Sequence, residues 1–245
     1  MPNAYSLSAE EKKRLAAGLT AAFVTPIIDD VEDFVWEAVF HYVKGIKLYD
    51  PYTVGRTKQL FDAVGPGGCS WSLKTLVWPS LEVGSKFEFV IQRADIFKKA
   101  ELLGFSELSR QSSAADLGAA LIRHWNAKFD IDSEAQKVKD PRLAVLLKQR
   151  DRKRFTYIET PYERLNEKEF TWKWTETKEG TEGAGLQGTK NGAVRLKWYF
   201  GQKQLFEVCT IPAEAYTFTL DWARMSLPDF VTLLSSPSRT SLAKA

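Results

Sequence analysis

Residues Gln59 to Val77 read QLFDAVGPGGCSWSLKTLV, two short apolar runs on either side of a Gly/Pro turn. Such punctuation between runs of this length predicts two strands joined at GPGG. Each run also carries polar residues that a plain strand does not need. Asp62 lies in the first. Ser72 and Lys74 lie in the second, two residues apart, so in a strand both side chains leave the same face. A carboxylate and a lysine across a hairpin are compatible with a metal site that has a cationic helper. They are equally compatible with a salt bridge on an ordinary hairpin.

Upstream, Ser8-Ala9-Glu10-Glu11 has capping-box spacing, and Leu15, Leu19 and Ala22 extend a helical stripe to about Phe23. Asp29 or Asp30 opens a second helix, in which Val31, Phe34, Val35, Ala38, Val39, Tyr42 and Val43 fit the i, i+3, i+4 template and Gly45 is the stop. Glu37 and His41 border that stripe one turn apart. Downstream, Phe87 to Gln92 alternates as a third strand, and a helix is predicted from Ala94 to Leu103. Asp116 to Phe129 carries Leu117, Leu121, Trp125 and Phe129 at i+4, with His124 beside the stripe as a core or boundary residue.

From Pro141 the texture changes. Leu143 to Leu147 suits a buried central strand, with Phe155, Tyr157 and Glu159 in its partner. Phe170, Trp172 and Trp174 alternate with polar residues, and Glu179 to Gly192 reads as a Gly-rich mobile loop. Val194 to Phe200 and Lys203 to Ile211 form a hairpin, and a short helix starts at Ser226. The order αα, βββ, αα, then strands, predicts an α/β fold: a mixed β-sheet flanked by helices with an added C-terminal β-rich part. Residues 1–235 are expected to be one domain and 236–245 a disordered tail.

Hydrophobic content of 44% and charged content of 27% are those of a soluble globular protein. No run approaches a membrane span, and the first residues have no signal-peptide core. Two cysteines 140 residues apart and two histidines exclude a zinc-finger framework and a disulfide scaffold, and suggest a reducing cytoplasm. Neither histidine has a hydrolase context such as GxSxG, and the glycines fit neither phosphate-loop pattern. What remains is Asp62, Ser72 and Lys74, with Glu37 on the upstream helix. Phosphodiester hydrolysis uses a metal, commonly Mg²⁺ on one or two carboxylates, and a lysine that stabilises developing charge.

A helix bearing a glutamate, a strand bearing an aspartate, a turn, and a strand ending in x-x-Lys resemble the PD-(D/E)XK nuclease superfamily, particularly Type II restriction endonucleases. Asp62 matches the first acid and Lys74 the lysine, whereas Ser72 stands where the second acid is usual. The resemblance implies a restriction-endonuclease-like core in residues 30 to 220 and hydrolysis of double-stranded DNA at a short specific site. It also implies Mg²⁺ held by Asp62 and Glu37, a homodimer, and a prokaryotic cytoplasmic setting. Lys74 would activate the attacking water, with Ser72 lining the same site.

Duplex affinity rests on phosphate contacts from Lys and Arg, and sequence is read at base edges. The basic turn Lys148, Arg150, Arg152, Lys153 and Arg154, the strand face of Arg195 and Lys197, and Gln187, Lys190 and Asn191 in the Gly-rich segment are the candidates for DNA contact. The alternatives are a repair or structure-specific nuclease of the same fold, a non-catalytic DNA-binding protein, or a β-rich protein whose tryptophans stack on a ligand.

Overall fold

A computed structural model of the chain describes residues 5–48, 59–176 and 182–235. The expected tail, residues 236–245, lies outside the described residues, as do residues 179–181 of the Gly-rich segment.

The fold is α/β, with a mixed sheet and a separate antiparallel sheet. Helix α1 (Ala9–Val24) starts at the capping box: Ser8 accepts the Glu11 N–H, and Glu11 reaches back to the Ser8 N–H. Helix α2 (Asp33–Lys44) ends on Gly45, whose positive φ of 65° lets its N–H close on the preceding turn. The hairpin follows: β1 (Ala63–Val64) pairs antiparallel with β2 (Cys69–Val77) across a 3₁₀ turn at Pro66–Gly68. Gly67 and Gly68 both have positive φ, which is why the sequence needs GG there.

Strand β3 (Lys86–Arg93) belongs to the second sheet. The predicted helix at 94–103 is instead two 3₁₀ turns, Phe97–Lys99 and Glu101–Leu103. Phe97 packs against the core on one side while Leu102 is exposed, so no continuous apolar stripe sustains an α-helix there. Helix α3 (Ala114–Ala135) covers and exceeds the predicted span. It leads into β4 (Asp140–Lys148), which runs parallel to β2 with Ser72 opposite Leu143 and Lys74 opposite Val145.

Strand β5 (Arg154–Pro161) returns antiparallel to β4. Next come β6 (Thr171–Glu176), β7 (Glu182–Lys190), β8 (Ala193–Tyr199), β9 (Gln204–Thr210), β10 (Tyr216–Thr219) and α4 (Leu227–Ser235). The mixed sheet is ordered β1-β2-β4-β5-β10 and the antiparallel one β3-β9-β8-β7-β6. The Gly-rich segment is therefore a strand over residues 182–190 rather than a loop. Its glycines are required by close approach: Cβ atoms at Gly185 and Gly188 would collide with the Trp198 backbone and the Trp172 ring.

Alternation on the mixed sheet sorts two cores. Trp71, Leu73, Ala144, Leu146, Phe155 and Tyr157 face α1 and α2. Leu143, Val145, Leu147 and Ile158 face α3 and, beyond it, the second sheet through Leu186, Leu196, Trp198 and Leu205. The α2 stripe is rotated from its predicted position. Trp36 and Phe40 are buried, while Phe34 and Tyr42 are exposed, because the helix turns its aromatics onto Trp71 and Tyr157.

Candidate functional site

Asp62 sits in the bend that enters β1, opposite Ser72 by extension of the Ala63–Trp71 and Val64–Ser70 register. Its backbone N–H donates to the Trp71 carbonyl at 2.8 Å, and its carboxylate accepts the Leu73 N–H at 2.7 Å. The carboxylate is thereby fixed on β2 between Ser72 and Lys74. Two neighbours hold the bend in place. Gln136, at the end of α3, pairs with Phe61 through both amide atoms. His41 lies between the carbonyl oxygens of Lys47 and Asp62, at 3.2 and 3.3 Å, and is a structural tie.

Ser72 and Lys74 do share a face, the one that turns toward α3. Ser72 is fully buried, and its hydroxyl has no hydrogen bond of good geometry among the described residues. Lys74 is half-buried and forms no ion pair among the described residues. Glu37, also half-buried, rides on α2, which packs on the other face of the sheet. The hairpin therefore supplies one carboxylate, and one of its oxygens already accepts a backbone N–H. No group of three or more His, Cys, Asp or Glu side chains stands together to hold a metal among the described residues.

The ten candidate DNA contacts separate into three places. Lys148 is a correction: it is 3% exposed, and its ammonium donates to Asp30 at 2.7 Å, on the α1/α2 side of the sheet. Arg152 joins that carboxylate at 3.6 Å, leaving Arg150, Lys153 and Arg154 exposed at the turn. On the second sheet, Lys197 is tied to Glu88 at 2.6 Å, and Gln187 lies opposite it in register. Lys190, Asn191 and Arg195 belong to the third place, a cavity of about 470 Å³ between the β5 exit, α3 and the second sheet. Gln187 and Lys190 lie in a strand, and Asn191 in its turn at φ 53°.

That cavity was not anticipated from sequence. Tyr162, Arg164, Trp125, Phe170 and Glu207 line it with the three residues above. Glu207 pairs with Arg195 at 3.4 Å; burial nevertheless raises its carboxyl above the ordinary range against the pull of that guanidinium. Tyr162 joins cavity and hairpin. Burial pushes its phenol well upward, aided by Glu207, Asp62 and Cys209, while the Ser72 hydroxyl beside it pulls the other way. Among the described residues, its hydroxyl and the Trp125 Nε1–H lack hydrogen-bond partners of good geometry. A signal did exist: Leu205, Glu207 and Cys209 are the inward phase of β9, so a glutamate stood on an apolar stripe.

A second polar cluster lies on the opposite face. Glu159 accepts from Trp71 Nε1 at 2.9 Å, Arg142 at 2.8 Å and Tyr157 at 2.5 Å, and pairs with Lys44 at 3.2 Å. Glu11 holds the same lysine at 3.1 Å, and Arg142 also meets Asp140, which accepts the Cys69 thiol. Burial acts to raise the Glu159 carboxyl, but Lys44 and the three hydrogen-bond donors outweigh it and hold it below the ordinary range. Every Glu159 oxygen is occupied, and the cluster welds α1, α2, β2, β4 and β5 together. No protein-family model, no curated protein and no solved structure matches this chain.

Proposed function

We propose that this chain is a nuclease of the restriction type, hydrolysing phosphodiester bonds of double-stranded DNA at a short site. The observation that carries the reading is the clamped Asp62 carboxylate, 2.7 Å from the Leu73 N–H and flanked along β2 by Ser72 and Lys74. The order downstream of the hairpin supports it, because a helix (α3), then a buried strand (β4, beside the strand that carries Lys74), then a late β-hairpin is the sequence of elements the resemblance implies.

In this reading Lys74, without a carboxylate partner among the described residues, presents its ammonium to a phosphate oxygen or to the attacking water. Asp62 supplies the negative charge beside it. Arg150, Lys153 and Arg154 are the exposed cations that contribute phosphate contacts. Mg²⁺ and a two-fold dimer enter through the resemblance alone. The hairpin's single carboxylate favours a second reading, a DNA-binding protein without catalysis, because fully buried Ser72 cannot replace the charge of the missing acid.

Incubating the full chain with Mg²⁺ and a long defined duplex separates these readings. A reproducible ladder of discrete fragments is the expected result. Cutting confined to mismatches or ends indicates a repair-type nuclease, and salt-sensitive binding without cutting under any divalent metal indicates the binding protein.

A further inference from the structure

We propose that the cavity beneath the β7–β8 turn is a binding site for a single nucleotide unit, a nucleobase together with its phosphate. Its volume, about 470 Å³, lies in the range of small-molecule sites, roughly 300–1,000 Å³. Its lining has the two chemistries that such a ligand requires. Partly exposed Phe170 presents aromatic surface for a base, with the buried rings of Tyr162 and Trp125 in the same lining. Arg164, Lys190 and Arg195 bring cations to the same walls for a phosphate.

Two further features point to a polar ligand. The Trp125 Nε1–H belongs to a cavity-lining residue that is almost wholly buried and has no hydrogen-bond partner among the described residues, while the equally buried Tyr162 hydroxyl has the Ser72 hydroxyl beside it. An unmet buried donor is costly, and a bound molecule is one way of meeting it. The Asn191 amide and the Glu207 carboxyl add a donor–acceptor pair suited to a base edge. The three cations are not idle: Arg164 is paired with Asp130, Lys190 with Glu169 and Arg195 with Glu207. A phosphate therefore binds by exchange with these carboxylates, two of which, Asp130 and Glu169, are exposed and can return to water.

The nucleotide can come from solution or be turned out of a DNA strand, as enzymes that inspect a base do. The site does not depend on hydrolysis at the hairpin. Its test is made on the full chain by calorimetry with each of the four deoxynucleoside 5′-monophosphates and with inorganic phosphate. A duplex bearing 2-aminopurine, which brightens when unstacked, is titrated in parallel. Saturable binding of at least one nucleotide, or a saturable rise of 2-aminopurine fluorescence, is expected. Lys190→Ala and Asn191→Ala, both at the turn and away from the core, should each weaken it about tenfold. Nucleotide binding alone assigns the free ligand, and the fluorescence rise assigns the strand. Absence of both, inorganic phosphate binding as tightly as nucleotides, or indifference to both variants would overturn the proposal. DNA cleavage measured on the same variants reports on the hairpin separately.

Discussion

The Asp62 carboxylate and the Leu73 backbone N–H form a 2.7 Å hydrogen bond that locks the bend before β1 onto the strand carrying Ser72 and Lys74. That bond makes Asp62 both a candidate reacting group and a structural one, and the two roles are separable. Asp62→Ala should cost stability, about 1–3 kcal/mol, because it leaves a strand N–H unsatisfied. Lys74→Ala should change stability by no more than about 0.5 kcal/mol, since the lysine has no ion pair to lose among the described residues. Urea denaturation of the two variants checks the contrast.

The Glu159 cluster carries a prediction with a definite pH sign. Its folded carboxyl is held below the ordinary range, so the cluster contributes stability at pH values above about 4.3, the unfolded glutamate value. That contribution should be lost as pH falls through the lower folded value. Glu159→Gln should flatten the acid limb of the stability profile. Glu159→Ala should cost about 3–5 kcal/mol near neutral pH, since Lys44 and Arg142 lose a shared buried partner. Denaturant midpoints from pH 3 to 7 (values set by the titration range) measure both.

Much of this fold was legible in the sequence, and the failures have physical causes. The capping box at Ser8 and Glu11, the i+4 stripe from Leu117 to Phe129 and the apolar run from Leu143 to Leu147 are local signals, and each became the expected element. Residues 182–190 did not read as a strand, because their glycines look like a loop until Trp172 and Trp198 are known to press against them. The α2 stripe was displaced because Phe34 and Tyr42 satisfy helical spacing as well as Trp36 and Phe40 do; only contact with the sheet chooses between them.

The hairpin was legible as a place, since Asp62, Ser72 and Lys74 are close in sequence. The cavity was not. Trp125, Tyr162 and the hairpin that carries Arg195 and Glu207 come from three separate stretches, and only the packing of two sheets around α3 brings them together.

Packing of the second sheet on α3 turns on one ring. A Cβ at Gly118 would stand 2.3 Å from Trp172 ring atoms, and one at Gly188 2.9 Å from the same ring. Gly118→Ala should therefore destabilise by about 1–3 kcal/mol through overpacking, and Trp172→Phe in the same chain should recover part of that loss. Thermal unfolding of the single and double variants tests the coupling.

At the β4–β5 turn, Lys148 and Arg154 should behave in opposite ways. Lys148→Ala should lower stability by about 1.5–3 kcal/mol, because it removes the buried ammonium from Asp30 and leaves Arg152 as that carboxylate's cation, with DNA affinity following the folded fraction. Arg154→Ala should leave stability unchanged and reduce the salt slope of duplex binding by about 0.9 if it neutralises one phosphate. Binding isotherms at several salt concentrations, beside denaturation curves, distinguish the two.

In the proposed reading, the hairpin from Asp62 to Lys74 is a site of phosphodiester hydrolysis. The most direct test of that reading compares the wild-type chain with Lys74→Ala on one defined duplex in Mg²⁺, reading fragments and duplex affinity together. Wild type should give discrete fragments, the variant none, and both should bind the duplex with equal affinity. Cleavage by Lys74→Ala at the wild-type rate, or no cleavage by wild type under any divalent metal, would contradict the reading.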